Sequence, residues 1–277
     1  MIHSTFSWSV EQPDELLIHY IYPVYFSHAI VRLPCQKITE GLSTAGLGLP
    51  DHRLALHQHG HYVEALERCG LELRILPADN RFPDSTFVED TALLTTAVAI
   101  ITNPGAGSRK GEIRSMQEVI RLYYDNLELI QPPGTLEAGD VMMCGDHFFI
   151  GLSERTNKAG AVQLKAILEK HGMTASFVEV PGILHLKSGV SYLEQNNLLA
   201  VRALADHPAF SGYDIIPVRD HEAYAANALW VNDTVLVAEG YPETLENIRA
   251  AGYETIELAM SEFRKVDGGL SCLSLRF

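Results

Sequence analysis

Three times along this chain the same punctuation returns: an amphipathic helix, a glycine, then a short strand. In "YVEALERCG" followed by "LELRILP", Tyr62, Leu66 and Cys69 share one helical face, Gly70 stops the helix, and Leu71, Leu73 and Ile75 alternate with Glu72 and Arg74. "AVQLKAILEKHG" followed by "MTASFVEVP" repeats the pattern, with Leu164, Ile167 and Leu168 on one face and Gly172 at the stop. "ETLENIRAAG" followed by "YETIEL" repeats it again, with Leu245, Ile248 and Gly252 in those roles. A glycine just past a helix accepts the left-handed backbone that closes it. The apolar spacing then changes from a period near 3.6 to a period of 2, so each copy reads as helix into strand.

Between the copies lie hairpin-like pairs of short apolar runs. "DTALLTTAVAIIT" breaks at Thr95 and Thr96, "DVMMCGDHFFIG" at Gly145 and Asp146, "SYLEQNNLLAV" near Asn196 and Asn197, and "ALWVNDTVLVAE" at Asn232 and Asp233. Polar or glycine dipeptides between apolar arms are hairpin signals. A further helix is expected in "RKGEIRSMQEVIRLYY". The unit is therefore strand, strand, helix, strand, returning about every 40–50 residues, a period that suggests a propeller or solenoid. An ordinary α+β sandwich is the alternative. Hairpins followed by helices argue against a dinucleotide-binding fold, and neither GxGxxG nor GxxxxGK[ST] occurs.

Composition narrows the partners. With 47 % apolar residues, 277 residues can bury a substantial core in one large or two small domains. The net charge of −14 argues against nucleic acid and against anionic membranes, which call for clustered Lys and Arg. It favours a small cationic ligand or simple solubility. The four cysteines, Cys35, Cys69, Cys144 and Cys272, form no CxxC pair, so a zinc knuckle or disulfide framework is not expected and a reducing cytoplasm is. No apolar run approaches the ~20 residues of a membrane span. The first residues carry Glu11, Asp14 and Glu15 without a basic stretch, unlike a signal peptide.

Polar residues gather where the hairpins begin. "FPDSTFVEDT" supplies Asp84, Glu89 and Asp90, "GTLEAGD" Glu137 and Asp140, "LHLKSG" His185 and Lys187, "YAANA" Asn227, and "DGGLSC" Cys272. Singly, such carboxylates are usually turn residues or caps, and a lone cysteine is usually a small buried hydrophobe. Their recurrence at corresponding places changes the weighting, because equivalent strand starts converge if the modules surround an axis. Cysteine with a distant histidine is the usual form of an activated thiol site. Acids around a sulfur raise its pKa above ~8.5 and suppress the thiolate, so such a site suits a substrate that brings positive charge. A guanidinium does so, and its planar fork matches paired carboxylates.

The stretches "RFPDSTFVEDT", "GTLEAGDVMMCGDHFFIGLSERTN", "LHLKSGVSYLEQNNLLA", "YAAN" and "RKVDGGLSCLSLRF" closely resemble the dimethylarginine dimethylaminohydrolases, guanidine-modifying enzymes of the pentein superfamily. The resemblance implies an α/β-propeller of five ββαβ modules around a pseudo-fivefold axis, filling residues 26–277 as one catalytic domain. Residues 1–25 have no counterpart in it and stand as an extension of unknown role. It implies Cys272 as nucleophile, His185 as general acid/base and Glu137 as the acid that orients histidine and substrate. Glu89 and Asp90 are implied as a guanidinium cradle, Arg109 and Arg155 as α-carboxylate clamps, and Asp84, Leu42 and Val266 as further substrate contacts. The glycine-rich loop around Leu42 is the expected lid.

The activity implied is hydrolysis of Nω-methylated arginine to citrulline and a methylamine through a thiouronium on Cys272, with no metal or organic cofactor. A homodimer is left open. Arginine deiminase and amidinotransferase are alternatives within the superfamily, although those chains are typically longer. A non-catalytic binder of arginine-like cations is the alternative from another class; it needs the acids and arginines but neither Cys272 nor His185.

Overall fold

A computed structural model describes residues 25–180 and 182–277. The segment expected to be an extension therefore lies, apart from Tyr25, outside the described residues. In chain order, β1 (His28–Arg32), α1 (His52–Arg68) and β2 (Glu72–Leu76) come first. Next are β3 (Ala92–Leu94), β4 (Ala99–Ile101), α2 (Glu112–Ile120) and β5 (Leu127–Leu129). They are followed by β6 (Val141–Cys144), β7 (His147–Leu152), α3 (Lys158–Lys170) and β8 (Thr174–Glu179). Then come β9 (Val190–Tyr192), β10 (Asn197–Val201), α4 (Arg202–Ala205) and β11 (Asp214–Val218). β12 (Leu229–Val231), β13 (Thr234–Ala238), α5 (Pro242–Ala250) and β14 (Glu254–Leu258) precede the final α6 (Ser261–Arg264) and β15 (Ser274–Arg276).

These strands form five sheets of three. In each, an antiparallel pair is joined by a parallel third strand that returns through the helix. Four sheets are consecutive in sequence. The fifth is split between the chain ends: β15 pairs antiparallel with β1, and β1 runs parallel to β2. The last strand is thus fastened, with the Phe277 carbonyl accepting from the Ser27 and His28 N–H groups. The expected pentein architecture is present, one module being completed across the termini.

Local chemistry explains the elements. Gly70, Gly172 and Gly252 follow their helices at φ +88°, +82° and +96°, the backbone region where a Cβ is penalised. The Asp51 and Asn157 side chains accept N–H bonds that cap α1 and α3. Asn232 and Asp233 turn the fifth hairpin at φ +46° and +70°. Two expectations are corrected. The β9–β10 turn is Glu194, Gln195 and Asn196, all at positive φ, so Asn197 already pairs in the strand. The fourth module also keeps only one helical turn, α4, where the others have a crossover helix of nine residues or more.

The module cores lie between helices and sheets. Ile248 and Leu245 of α5, for example, pack with Val235, Val237 and Tyr253, each such aliphatic burial stabilising by about 1.5–3 kcal/mol. The first strands β3, β6, β9, β12 and β15 all line one axial cavity of about 120 Å³. Immediately before each comes a short 3₁₀ stretch: Val88–Thr91, Ala138–Asp140, Leu186–Ser188, Asp220–Ala226 and Ser271–Leu273. Neighbouring stretches touch, so the chain segments that carry the sequence-selected polar residues form a collar at one end of the axis.

One carboxyl on the axial cavity tests this packing. Glu194 is 7 % exposed, and burial pushes its pKa up to about 7. A folded-state value above the unfolded ~4.3 destabilises as pH rises from about 4.5 through 7. Glu194→Gln is expected to be neutral near pH 4.5 and to stabilise by on the order of 1 kcal/mol at pH 8, after discounting for cavity water. Urea melts of both proteins at the two pH values check this; equal midpoint differences at both would contradict it.

Candidate active site

Of the residues singled out from the sequence, Cys272, His185, Glu137, Asp84, Asp90, Arg109, Arg155, Leu42 and Val266 line one cavity at the collar. Glu89 does not. The collar brings them together because Glu137 and His185 sit at the N-terminal boundaries of two successive 3₁₀ stretches, Asp90 lies inside a third, and Cys272 lies inside the last.

The histidine is held by acids. His185 Nε2 donates to Glu137 Oε2 at 2.9 Å, and both side chains are buried. The other Glu137 oxygen accepts from the Ala106 N–H at 2.9 Å. Asp90 Oδ1 accepts from the Gly139 N–H at 2.9 Å. Position 139 has to be glycine: a Cβ there would stand 2.8 Å from Asp90 Oδ1 and 2.9 Å from His185 Nδ1. Burial lowers the His185 pKa, but the Asp90 charge, the Glu137 hydrogen bond and Asp140 outweigh it and lift the value to about 9. The resting imidazole is therefore an imidazolium at neutral pH. Asp90, despite burial, is held below the usual carboxylate range by His185 and Arg109.

The sulfur is treated in the opposite way. Burial pushes the Cys272 thiol up to about 12, with the Glu89 and Asp90 charges adding to the effect. Its one hydrogen bond comes from the Gly269 N–H at 3.4 Å. The adjacent backbone is braced by Asn227, whose Oδ1 accepts from the Ser271 N–H at 3.0 Å while its Nδ2 donates to the Lys187 carbonyl at 2.8 Å. The Ser271 hydroxyl in turn donates to Glu89 Oε2 at 2.7 Å.

Two expectations change here. Glu89 was expected in the guanidinium cradle, yet its carboxylate faces the axial cavity, where Lys187 Nζ holds Oε1 at 2.6 Å. Arg109 was expected as a carboxylate clamp, yet it is 4 % exposed and donates to Asp90, to both Glu112 oxygens and to the Phe87 carbonyl. Among the described residues one Nη1 hydrogen lacks a partner, so Arg109 neutralises Asp90 and Glu112 and keeps one donor at the cavity it lines. Arg155 is different: its side chain is 19 % exposed at the cavity edge, 3.5 Å from Glu137 Oε1. Glu112 and Ser271 were missed in sequence. The i,i+3 spacing of Arg109 and Glu112 across a helix start was the available signal for the first; Ser271 carried none.

The cavity is narrow. Its free volume is about 30 Å³, and a second cavity of about 310 Å³ meets it at Cys272, Leu184, Asp267 and Gly268. Thirty cubic ångströms hold water but no amino acid. The loop expected as a lid lies over it. The Leu42 N–H bonds Asp84 Oδ1 at 3.0 Å, the Ser43 hydroxyl bonds the Lys265 carbonyl at 2.6 Å, and the Thr44 hydroxyl bonds Asp267 Oδ2 at 3.0 Å. Asp90, Glu137 and His185 offer donor atoms within 4.8 Å of one another, the only such trio among the described residues. Arg109 pairs with Asp90 and the imidazolium with Glu137.

Comparison with known proteins places the whole described fold in one family. The profile of the family described as N,N dimethylarginine dimethylhydrolase, eukaryotic, matches residues 51–237. The N(G),N(G)-dimethylarginine dimethylaminohydrolase of Pseudomonas aeruginosa is 51 % identical over 91 % of this chain and 100 % of its own length. A crystal structure of that organism's enzyme, a cysteine-to-serine mutant complexed with citrulline, superposes with a TM-score of 0.91 at 50 % identity, covering 92 % of this chain and all of the other. The N-terminal domain of the cyanobacterial arginine dihydrolase ArgZ shares the fold, with a TM-score of 0.82 at 18 % identity over 90 % of this chain and 96 % of that one.

The lid contacts can be broken singly. Asp267 has φ +57°, so Asp267→Gly keeps the backbone and removes the bonds to Thr44. The expected result is a loss of about 1 kcal/mol of stability and several-fold faster proteolysis between residues 42 and 48. An unchanged cleavage rate would show that these contacts do not hold the loop.

Proposed function

Since the chain belongs to the dimethylarginine dimethylaminohydrolase family, we propose that it hydrolyses Nω-methylated arginine to citrulline and dimethylamine or methylamine. The carrying observation is that Cys272 and the His185–Glu137 pair line one cavity whose wall also holds Asp90, Asp84 and Arg155.

The reaction follows from the charges. The guanidinium lies against Asp90 and Glu137, and its positive charge lowers the Cys272 pKa by the opposite-charge effect. The thiolate attacks the central guanidino carbon. The His185 imidazolium protonates the departing methylamine as the C–N bond breaks, leaving a thiouronium on sulfur. His185, now neutral, takes a proton from water. The resulting hydroxide adds to the thiouronium carbon, and the expelled Cys272 thiolate takes up the proton of the product oxygen, giving citrulline and the resting thiol. Arg155 receives the α-carboxylate, Asp84 and the Leu42 backbone the α-amino end, and Val266 the aliphatic stem. The substrate is the sole partner this reading requires; nucleic acid and membrane have no part in it. Among the described residues no helix is long and apolar enough to cross a membrane. Cytoplasmic location, one catalytic domain over residues 26–277 and a homodimer complete the reading.

Arginine, monomethylarginine and dimethylarginine compared side by side, with citrulline as readout, are expected to rank the methylated substrates first; preference for plain arginine would assign a deiminase instead. Cys272→Ser is expected to lower turnover by about 10³-fold or more with the fold kept; retained turnover overturns the nucleophile. Because the imidazolium of the free enzyme is present below about 9 and lost above it, kcat/KM is expected to fall as pH rises through that value. Glu137→Gln removes an acid that supports the charged ring and is expected to move that fall to lower pH.

A further inference from the structure

We propose that His57 and His61 of α1 form a surface chelate for a late first-row divalent metal ion, with copper(II) bound more tightly than nickel(II) or zinc(II). Residues four apart on a helix lie one turn above another on one face. Here both imidazoles are exposed, and their ring centroids stand 4.3 Å apart. The histidine between them points the other way. His59 is 1 % exposed, packs against Tyr62 and Phe263, and is walled off from solvent. The alternation separates one structural imidazole from two that face water.

Imidazole nitrogen suits copper, nickel and zinc, and the Irving–Williams order puts copper first. The two rings are carried one turn apart on a fixed helical backbone before any ion arrives. α1 is 17 residues long, capped by Asp51 and packed through Tyr62, Ala65 and Leu66, so little ordering entropy is left to lose. Once one ring binds, the second is present at an effective concentration that raises affinity by about 10²-fold over a single imidazole. Arg53 precedes His57 by one turn and Glu64 follows His61 by nearly one, so the surrounding charge is balanced. Water fills the remaining positions. This pair lies outside the Asp90, Glu137 and His185 trio.

The experiment uses the full chain stripped with a chelator, its His57→Ala and His61→Ala variants, and NiCl₂ and CuCl₂ as probes. Calorimetric titration is expected to give the wild type one site that each variant weakens by about 100-fold. The copper spectrum of the wild type is expected to show two coordinated nitrogens lost together in either variant. Both substitutions replace exposed helical residues with the best helix former, so metal-free melting temperature and citrulline formation are expected to stay at wild-type levels. Equal affinity in all three proteins, or a loss in only one variant, overturns the chelate.

Discussion

The antiparallel pairing of β15 with β1 is the contact on which the site depends. It inserts the last strand between the first module and the ring, and so fixes the turn Ser271–Leu273 against Val88–Thr91. Without that pairing the sulfur of Cys272 would hang on a free chain end, where ordering is poor. With it, a residue near the terminus meets an imidazole from a module in the middle of the chain. The join involves only three paired positions. It holds because Leu275 is buried among Ile30, Val88 and Ala92, and the Ser274 hydroxyl bonds Tyr62 at 2.6 Å.

Around that join the protein buries more acids than it can leave bare. A buried carboxylate without a partner costs several kcal/mol. Each one here is answered differently. Asp90 and Glu112 share Arg109, Glu89 takes Lys187 and Ser271, Asp140 takes Ser153 and the Leu186 N–H, and Glu137 takes the His185 ring. The pairings sort acids that brace the collar from acids that face the cavity. They also fix the protonation pattern at rest, with a charged imidazole beside a neutral thiol. Attack on a guanidinium needs a thiolate and a proton donor, so the incoming cation has only one proton to remove.

Much of this was legible in the sequence, and the rest was hidden for physical reasons. The modules showed because glycine after a helix and polar dipeptides within hairpins are local backbone requirements, as at Gly70 and Asn232. The split module was visible only as a glycine-led strand at the end of the chain, since pairing of distant segments leaves no local trace. Near Asn197 the turn came out one residue off because Glu194 and Gln195 take left-handed backbone that their side chains do not advertise. Residue types foretold which groups would gather, but not which way they would face. Glu89 and Asp90 are neighbours in sequence, yet one reaches the axial cavity and the other the cavity lined by Cys272. Arg109 is a strong cation in any sequence reading; only its burial beside Glu112 reveals that its charge is already matched.

The narrow cavity bears on selectivity and release together. A free space of about 30 Å³ beneath Leu42 means that a ligand filling it displaces the loop at Leu42 through Thr44, while the adjoining space of about 310 Å³ also reaches Cys272. Opening breaks three or four hydrogen bonds, each worth about 1 kcal/mol net, so a ligand must return several kcal/mol on closure. A guanidinium between Asp90 and Glu137 can do so through charge-assisted bonds. A urea of the same shape cannot, because it brings no charge to those acids. Hydrolysis converts the first into the second, and so weakens the interaction that justified closure at the moment the chemistry ends. Asp90, whose charge helps to raise the thiol pKa in the empty site, thereby also discriminates against the product.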